Sequence, residues 1–143
     1  MIAVDTNILV YSHRQDSPFH ERATAAIDEL RRKEEPWAIP WPCIYEFINI
    51  VTHPKIYRPP STFAEAATSV ERWMASGNMH LLHESADFWP TLAEIAEKGR
   101  VRGPKIHDAR IAAICLRHGV RELWTADRDF SAFPKLTTRN PLV

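Results

Sequence analysis

The chain has 143 residues, 45% of them hydrophobic and 25% charged, which suits one globular domain with its own core and excludes disordered, collagen-like and disulfide-stapled classes. Lys plus Arg number 18 and Asp plus Glu 18, so global charge gives no attraction to nucleic acid, and a polyanionic partner would need a local basic patch. No apolar run approaches the ~20 residues of a membrane span, and Asp5 and Asn7 break the N-terminal apolar run, so neither membrane insertion nor an export leader is expected and the expected location is the cytoplasm.

In chain order, Ile2 to Val4 reads as an apolar strand that stops on a polar turn, Asp5-Thr6-Asn7. Ser17 followed by Pro18 predicts a helix start, an N-cap with proline at the first helical position. That helix runs to about Lys33, with Ala23, Ala26, Ile27 and Leu30 as its apolar stripe. Trp37 to Ile39 is a second strand. Pro42 opens the next helix, which carries Ile44, Phe47, Ile48 and Val51 on one face and ends at His53-Pro54. After a loop, Lys55 to Pro60, Thr62 and Glu65 have the spacing of a capping box for a helix ending near Gly77. Met79 to His83 is a third strand. Asp87 is expected to cap a helix that has Pro90 in its first turn and stops at Gly99.

Arg100 to Ile106 reads as a basic loop, and Asp108 then opens an apolar helix that Gly119 ends. Arg121 to Thr125 holds a fourth strand, Asp127 to Phe130 a helical turn, and the tail from Leu136 to Val143 a final edge strand. Strands alternating with helices predict an α/β domain with a mainly parallel sheet. The prolines fall between elements, so they punctuate a single domain, 1–143. Cys43 and Cys115 each lie inside an apolar helix, which predicts buried free thiols, and no Cys/His zinc spacing is present. His80 and His83 read as ordinary surface histidines. Trp41, between Pro40 and Pro42, is the tryptophan best placed for a partner contact.

The acids carry the chemistry. Asp5 stands at the carboxyl end of the first strand, where ligands gather in open α/β sheets. Asp108 stands at a helix start, and Asp127 and Asp129 follow the fourth strand. Each has a plain structural reading: turn chemistry for Asp5, the helix dipole for Asp108, a polar turn with Arg128 for Asp127 and Asp129. Glu46 lies well off the apolar face of its helix and reads, by itself, as solvated. Taken together, four carboxylates around one point would repel unless a cation neutralised them. An all-oxygen set without Cys or His suits Mg²⁺ or Mn²⁺.

These residues, D-T-N at the N-terminus, Glu46 on an early apolar helix, H-D-A in mid-chain and T-A-D-R-D-F near the end, occur in an order that resembles the PIN-domain family, and more narrowly its VapC-type toxins. The resemblance covers nearly the whole chain. It implies a three-layer α/β/α sandwich, a metal-dependent ribonuclease acting on RNA, a small antitoxin partner and a homodimer. It also implies that the helices between the second and third strands form a protruding arm.

On this reading Asp5 and Asp108 are the core metal ligands, and Glu46 and Asp127 complete the ring with Asp129 as the alternate to Asp127. Thr6, Asn7 and Thr125 would hydrogen-bond ligands or waters, or else serve as turn and cap residues. Arg100, Arg102 and Lys105 would hold flanking phosphates, or else balance nearby acids as a solvated loop. An Ile44–Phe47 face left open on the arm would seat a partner helix, or else be core.

Phosphotransfer alternatives fit less well. The haloacid-dehalogenase pattern needs an acid two residues after the first Asp, where this chain has Asn7, and the receiver-domain order of acids and lysine is absent. RNA maturation and a non-catalytic interaction module are the other readings of the same fold.

Overall fold

The computed structural model describes residues 1–143. Five parallel strands form one sheet in the order β3-β2-β1-β4-β5: β1 Ile2–Val4, β2 Trp37–Pro40, β3 Met79–Leu82, β4 Glu122–Trp124 and β5 Thr138–Arg139. Six helices connect them: α1 Thr6–His13, α2 His20–Arg32, α3 Trp41–Val51, α4 Phe63–Met74, α5 Trp89–Lys98 and α6 Ile106–Arg117. Short 3-10 turns at Gly103–Lys105 and Arg128–Ala132 precede α6 and follow β4.

The topology explains the layers. From β1 the chain steps outward to β2 and then β3, and from β3 it crosses back over β2 and β1 to reach β4. Right-handed crossovers in opposite directions put their helices on opposite faces of the sheet. The helix contacts divide the same way, α1 packing on α2 and α3, α3 on α4, and separately α5 on α6. The result is the expected α/β/α sandwich. The central strands β1 and β2 are buried along their whole length, as strands covered on both faces must be, and the edge strands β3 and β5 are partly or wholly exposed. One core cluster of 35 buried residues includes side chains from every helix-bearing layer, and Cys43 and Cys115 lie in it as free thiols. No helix is long and apolar enough to cross a membrane.

The structure departs from the sequence expectations at several places. Residues 6–13 form α1 instead of a turn, with Asp5 at the N-cap position but without a side-chain capping bond. Ile8, Leu9 and Val10 are buried consecutively, so α1 is apolar on more than one side and has no amphipathic stripe to read. Helix α2 begins at His20, because Ser17 Oγ accepts from Phe19 N at 3.1 Å and closes a local turn before the helix can start. Asp87 does not cap α5. Its carboxylate accepts from Ser85 Oγ (2.6 Å) and Arg117 Nη2 (2.7 Å), and the N-cap position falls to Phe88.

The Thr62–Glu65 capping box forms in full at the start of α4. Lys105 and Ile106 belong to the 3-10 turn and to α6, so Asp108 lies inside the first turn of α6 and the basic segment is shorter than a loop from 100 to 106. Of the two readings of the α3 face, core is the one that holds: Ile44, Phe47 and Val51 are buried, with the Phe47 ring edge-on to His13 and Trp73. Helix α3 rests on α1, and α4 covers Phe47 from the other side through Trp73.

Candidate active site at the β1–β4 switch point

The chain leaves β1 toward β2 and returns on its other side as β4, so the order reverses between these two strands. In open parallel sheets the crevice outside the carboxyl ends of such a pair is the ligand site. Asp5 follows β1 directly, and its backbone N–H continues the ladder to Trp124 O at 3.0 Å. Asp127 follows β4 by the same logic. Helix α6 brings Asp108 and helix α3 brings Glu46 to the same edge, since both helices start there.

The carboxylate oxygens of Asp108, Asp127 and Asp129 lie within 4.8 Å of one another. Asp108 is half-buried and its carboxyl is pushed above the usual range, first by burial and then by the charges of Asp127, Glu46 and Asp129, with Lys105 opposing. Lys105 Nζ lies 3.9 Å from Asp129 Oδ2 and is the cation paired with this group. Asp127 Oδ1 accepts from Asp129 N at 2.8 Å and caps the 3-10 turn, which fixes one oxygen and leaves the other for a ligand. Asp127 and Asp129 therefore both reach the cluster.

Asp5 stands behind it, buried in the core edge. Thr125 Oγ1 donates to Asp5 Oδ2 at 2.8 Å, Asn7 Nδ2 donates to the same oxygen at 3.3 Å, and Cys43 Sγ donates weakly to Oδ1 at 3.5 Å. Burial dominates these bonds and the charge of Glu46 adds to it, raising the Asp5 carboxyl to about 6. The Cys43 thiol is pushed far up by burial and by Asp5, so it stays protonated and is a donor, not a metal ligand.

Glu46 is exposed, yet it is tied to the same edge because Thr6 Oγ1 donates to its Oε2 at 2.8 Å. Asn7 and Thr125 hold the two strand ends together: Asn7 Oδ1 accepts from Ala126 N (3.0 Å), and Thr125 Oγ1 accepts from Asn7 Nδ2 (3.1 Å) and Asp127 N (3.0 Å).

The donor set tests well against a hard divalent cation. It is all oxygen, burial and then the neighbouring acids hold the Asp108 carboxyl above its usual range, and one lysine cannot neutralise it. Arg100 and Arg102 are exposed beyond the cluster and make no ion pair, and Arg100 adopts a left-handed backbone at φ 50°.

A cleft of about 460 Å³ adjoins the cluster, lined by Pro42, Tyr45, Glu46 and Asn49 of α3 and by Pro104, His107, Asp108, Arg110 and Ile111. Tyr45, Asn49 and Arg110 are not singled out by the sequence. Tyr45 and Asn49 are spaced i, i+4 beside Glu46 on the polar side of α3, a signal that marks them as exposed but not as facing α6. A larger polar hollow, about 690 Å³, lies at the far end of α1. There His13 bridges Ser69 Oγ (2.7 Å) and Ser61 Oγ (2.8 Å), and Arg14 is consumed by Asp16, so the hollow is a satisfied structural network.

The sequence profile of the PIN domain matches residues 2–136. The chain is 27% identical over 137 residues to Ribonuclease VapC48 of Mycobacterium tuberculosis, covering 96% of this chain and 94% of that protein. It is 30% identical over 142 residues to Ribonuclease VapC43 of the same organism, covering 99% and 96%. Among solved structures, that of VapBC2 from Rickettsia felis bound to a DNA fragment from their promoter superposes with a TM-score of 0.70 at 19% identity, over 98% of both chains. The chain belongs to the PIN-domain family, in the branch populated by VapC ribonucleases.

Proposed function

We propose that the protein is an Mg²⁺-dependent endoribonuclease, with Mn²⁺ as a workable substitute, and that it is the toxin of a cytoplasmic toxin–antitoxin pair. The observation that carries the reading is the convergence of Asp108, Asp127 and Asp129 within 4.8 Å at the β1–β4 switch point, with Glu46 acting on Asp108 by its charge and Asp5 tied through the Thr125 hydroxyl to the backbone of Asp127. Asp108, Asp127 and Asp129 would hold the cation, with Asp5 and Glu46 as further carboxylates toward it. A bound divalent cation supplies charge neutralisation and an acidified water, which phosphodiester hydrolysis needs.

The chain's own residues supply the rest. Thr125 and Asn7 fix the Asp5 carboxylate against the end of β4, and Thr6 fixes Glu46, so the carboxylates are held before substrate arrives. Lys105 puts positive charge next to the acids, and Arg100 and Arg102, exposed a few residues before it, would meet flanking phosphates of RNA. Hydrolysis adds one water across the phosphodiester, leaving a phosphomonoester and a free hydroxyl.

The VapBC complex among the structural neighbours supports an antitoxin partner, and a homodimer is part of the same proposal on the family resemblance alone. An antitoxin arginine or lysine reaching the acids in place of metal would inhibit by charge-assisted hydrogen bonds. Two measurements test the reading. Purified protein should cut RNA with Mg²⁺ and not in excess EDTA, and Asp108→Asn should be inactive with an unchanged circular dichroism spectrum. Induced in cells lacking an antitoxin, the wild-type gene should arrest growth and the Asp108→Asn gene should not; equal harmlessness of both soluble proteins would remove the toxin assignment.

A further inference from the structure

The cleft between α3 and α6 shares two walls with the acidic cluster, Glu46 and Asp108, and its remaining walls are of a different kind. Tyr45 is a large aromatic left 60% exposed. One face of its ring is stacked on Trp41, with centroids 5.8 Å apart and planes 24° apart. Trp41 is half-buried against the core, so the pair is a ring braced from behind. Asn49, one turn further along α3, is exposed and its amide has no protein partner. Arg110 is held across the cleft by Glu84, Nε to Oε1 at 3.0 Å and Nη2 to Oε2 at 3.2 Å, which fixes the guanidinium and cancels much of its charge.

A braced, exposed aromatic ring offers a large apolar face at little entropic cost. The volume, about 460 Å³, is in the range of small-ligand sites. An amide beside an aromatic ring is the pairing that single-stranded nucleic acid sites use, the ring for stacking and the amide for a base edge. Duplex RNA would not supply a free base face.

We propose that this cleft holds one unpaired nucleotide adjoining the phosphate at the acidic cluster, with its base stacked on Tyr45 and its edge met by Asn49. The proposal rests on the ribonuclease reading and names the side chains of this chain that would hold the nucleotide beside the cut. Tyr45 is a positioning residue, acting through where it puts the backbone and not on the reacting atoms.

The test is equilibrium binding of short fluorescent oligoadenylate, and of the abasic ribose-phosphate oligomer of equal length, with Ca²⁺ present to neutralise the carboxylates. Wild-type protein and Tyr45→Phe should bind the base-bearing oligomer about tenfold or more tighter than the abasic one, and Tyr45→Leu should erase that difference while the weaker, base-independent affinity remains. A base preference unchanged in Tyr45→Leu, or no base preference in the wild type, overturns the proposal. So does a Tyr45→Leu protein whose particle mass by light scattering changes while its base preference does not, because Tyr45 then belongs to a protein contact. Cleavage of RNA with Mg²⁺ by the same preparations separates the two levels: a wild type that cleaves but shows no base preference sinks only the stacking proposal, whereas absence of wild-type cleavage sinks the ribonuclease reading.

Discussion

Thr125 donates its hydroxyl hydrogen to Asp5 at 2.8 Å across the junction of β4 and β1, although the two residues are 120 positions apart. The same oxygen of Thr125 accepts from Asp127 N and Asn7 Nδ2. One hydroxyl therefore joins the carboxylate after β1 to the backbone that carries the acids after β4. It is 3% exposed, so water cannot replace it if it is removed.

Replacing Thr125 by Val keeps the shape and removes that hydroxyl. Asp127 N and Asn7 Nδ2 lose an acceptor and Asp5 loses a donor, so urea denaturation of the metal-free protein should show a loss of about 1–3 kcal/mol. Thr125→Ser should recover most of it. Because the lost bond favours ionised Asp5, the acid limb of the cleavage pH profile should move to higher pH in the Val variant. An unmoved stability and profile would show that the junction is held by the sheet alone.

Asp5 itself should make the metal-free protein less stable as pH rises. Its carboxyl is raised to about 6 in the folded chain from 3.8, so between these values the native state binds more protons than the unfolded state. Stability attributable to this group is highest below pH 4, falls through the interval and is lowest above pH 6, a difference on the order of 3 kcal/mol. Asp5→Asn should flatten that slope. Its amide must face either the Thr125 hydroxyl or the Cys43 thiol, so its absolute stability is set partly by that mismatch and the slope is the cleaner readout. Denaturation in EDTA at pH 4 and pH 7 measures it, and Mg²⁺ at pH 7 should stabilise wild type more than the variant.

The strands, the capping box at Thr62 and the acids at strand ends were legible in the sequence because each depends on a local pattern. Ile2–Val4 and Trp37–Ile39 are short apolar runs with polar or proline boundaries, and Thr62 and Glu65 satisfy each other within one turn. Helix α1 was not legible, since Ile8, Leu9 and Val10 are all buried and leave no period to detect. Glu46 could not be assigned from its own helix, because its link to the site is the Thr6 hydroxyl 40 positions away. The cleft residues Tyr45, Asn49 and Arg110 were invisible for the same reason: only the packing of α3 near α6 makes them neighbours.

The Phe47 ring shows what the packing of α3 on α1 and α4 costs to disturb. It is fully buried, edge-on to His13 of α1 and to Trp73 of α4, and it joins three helices. Phe47→Ala should lose about 3–5 kcal/mol, read as a lower denaturation midpoint. Phe47→Leu should lose much less. If an antitoxin used this residue directly, Phe47→Leu would weaken the complex without unfolding the toxin, and titration calorimetry of the pair would show it; the burial predicts no such loss.

Asp127 and Asp129 should separate by their second roles. Both offer an oxygen to the group with Asp108, but only Asp127 also caps the 3-10 turn, accepting from Asp129 N at 2.8 Å. Asn is a good cap, so Asp127→Asn should keep the fold, lose charge at the cluster and lose both the Mg²⁺-induced rise in melting temperature and RNA cleavage. Asp127→Ala should add a stability loss of about 0.5–2 kcal/mol from the missing cap. Asp129 is exposed and pairs with Lys105 at 3.9 Å, so Asp129→Asn should leave stability unchanged and release Lys105 toward Asp108. The Mg²⁺ melting shift then decides which acid holds the ion: a shift lost in Asp127→Asn and kept in Asp129→Asn selects Asp127, the reverse selects Asp129, and a shift halved by each means that the cation is shared by both.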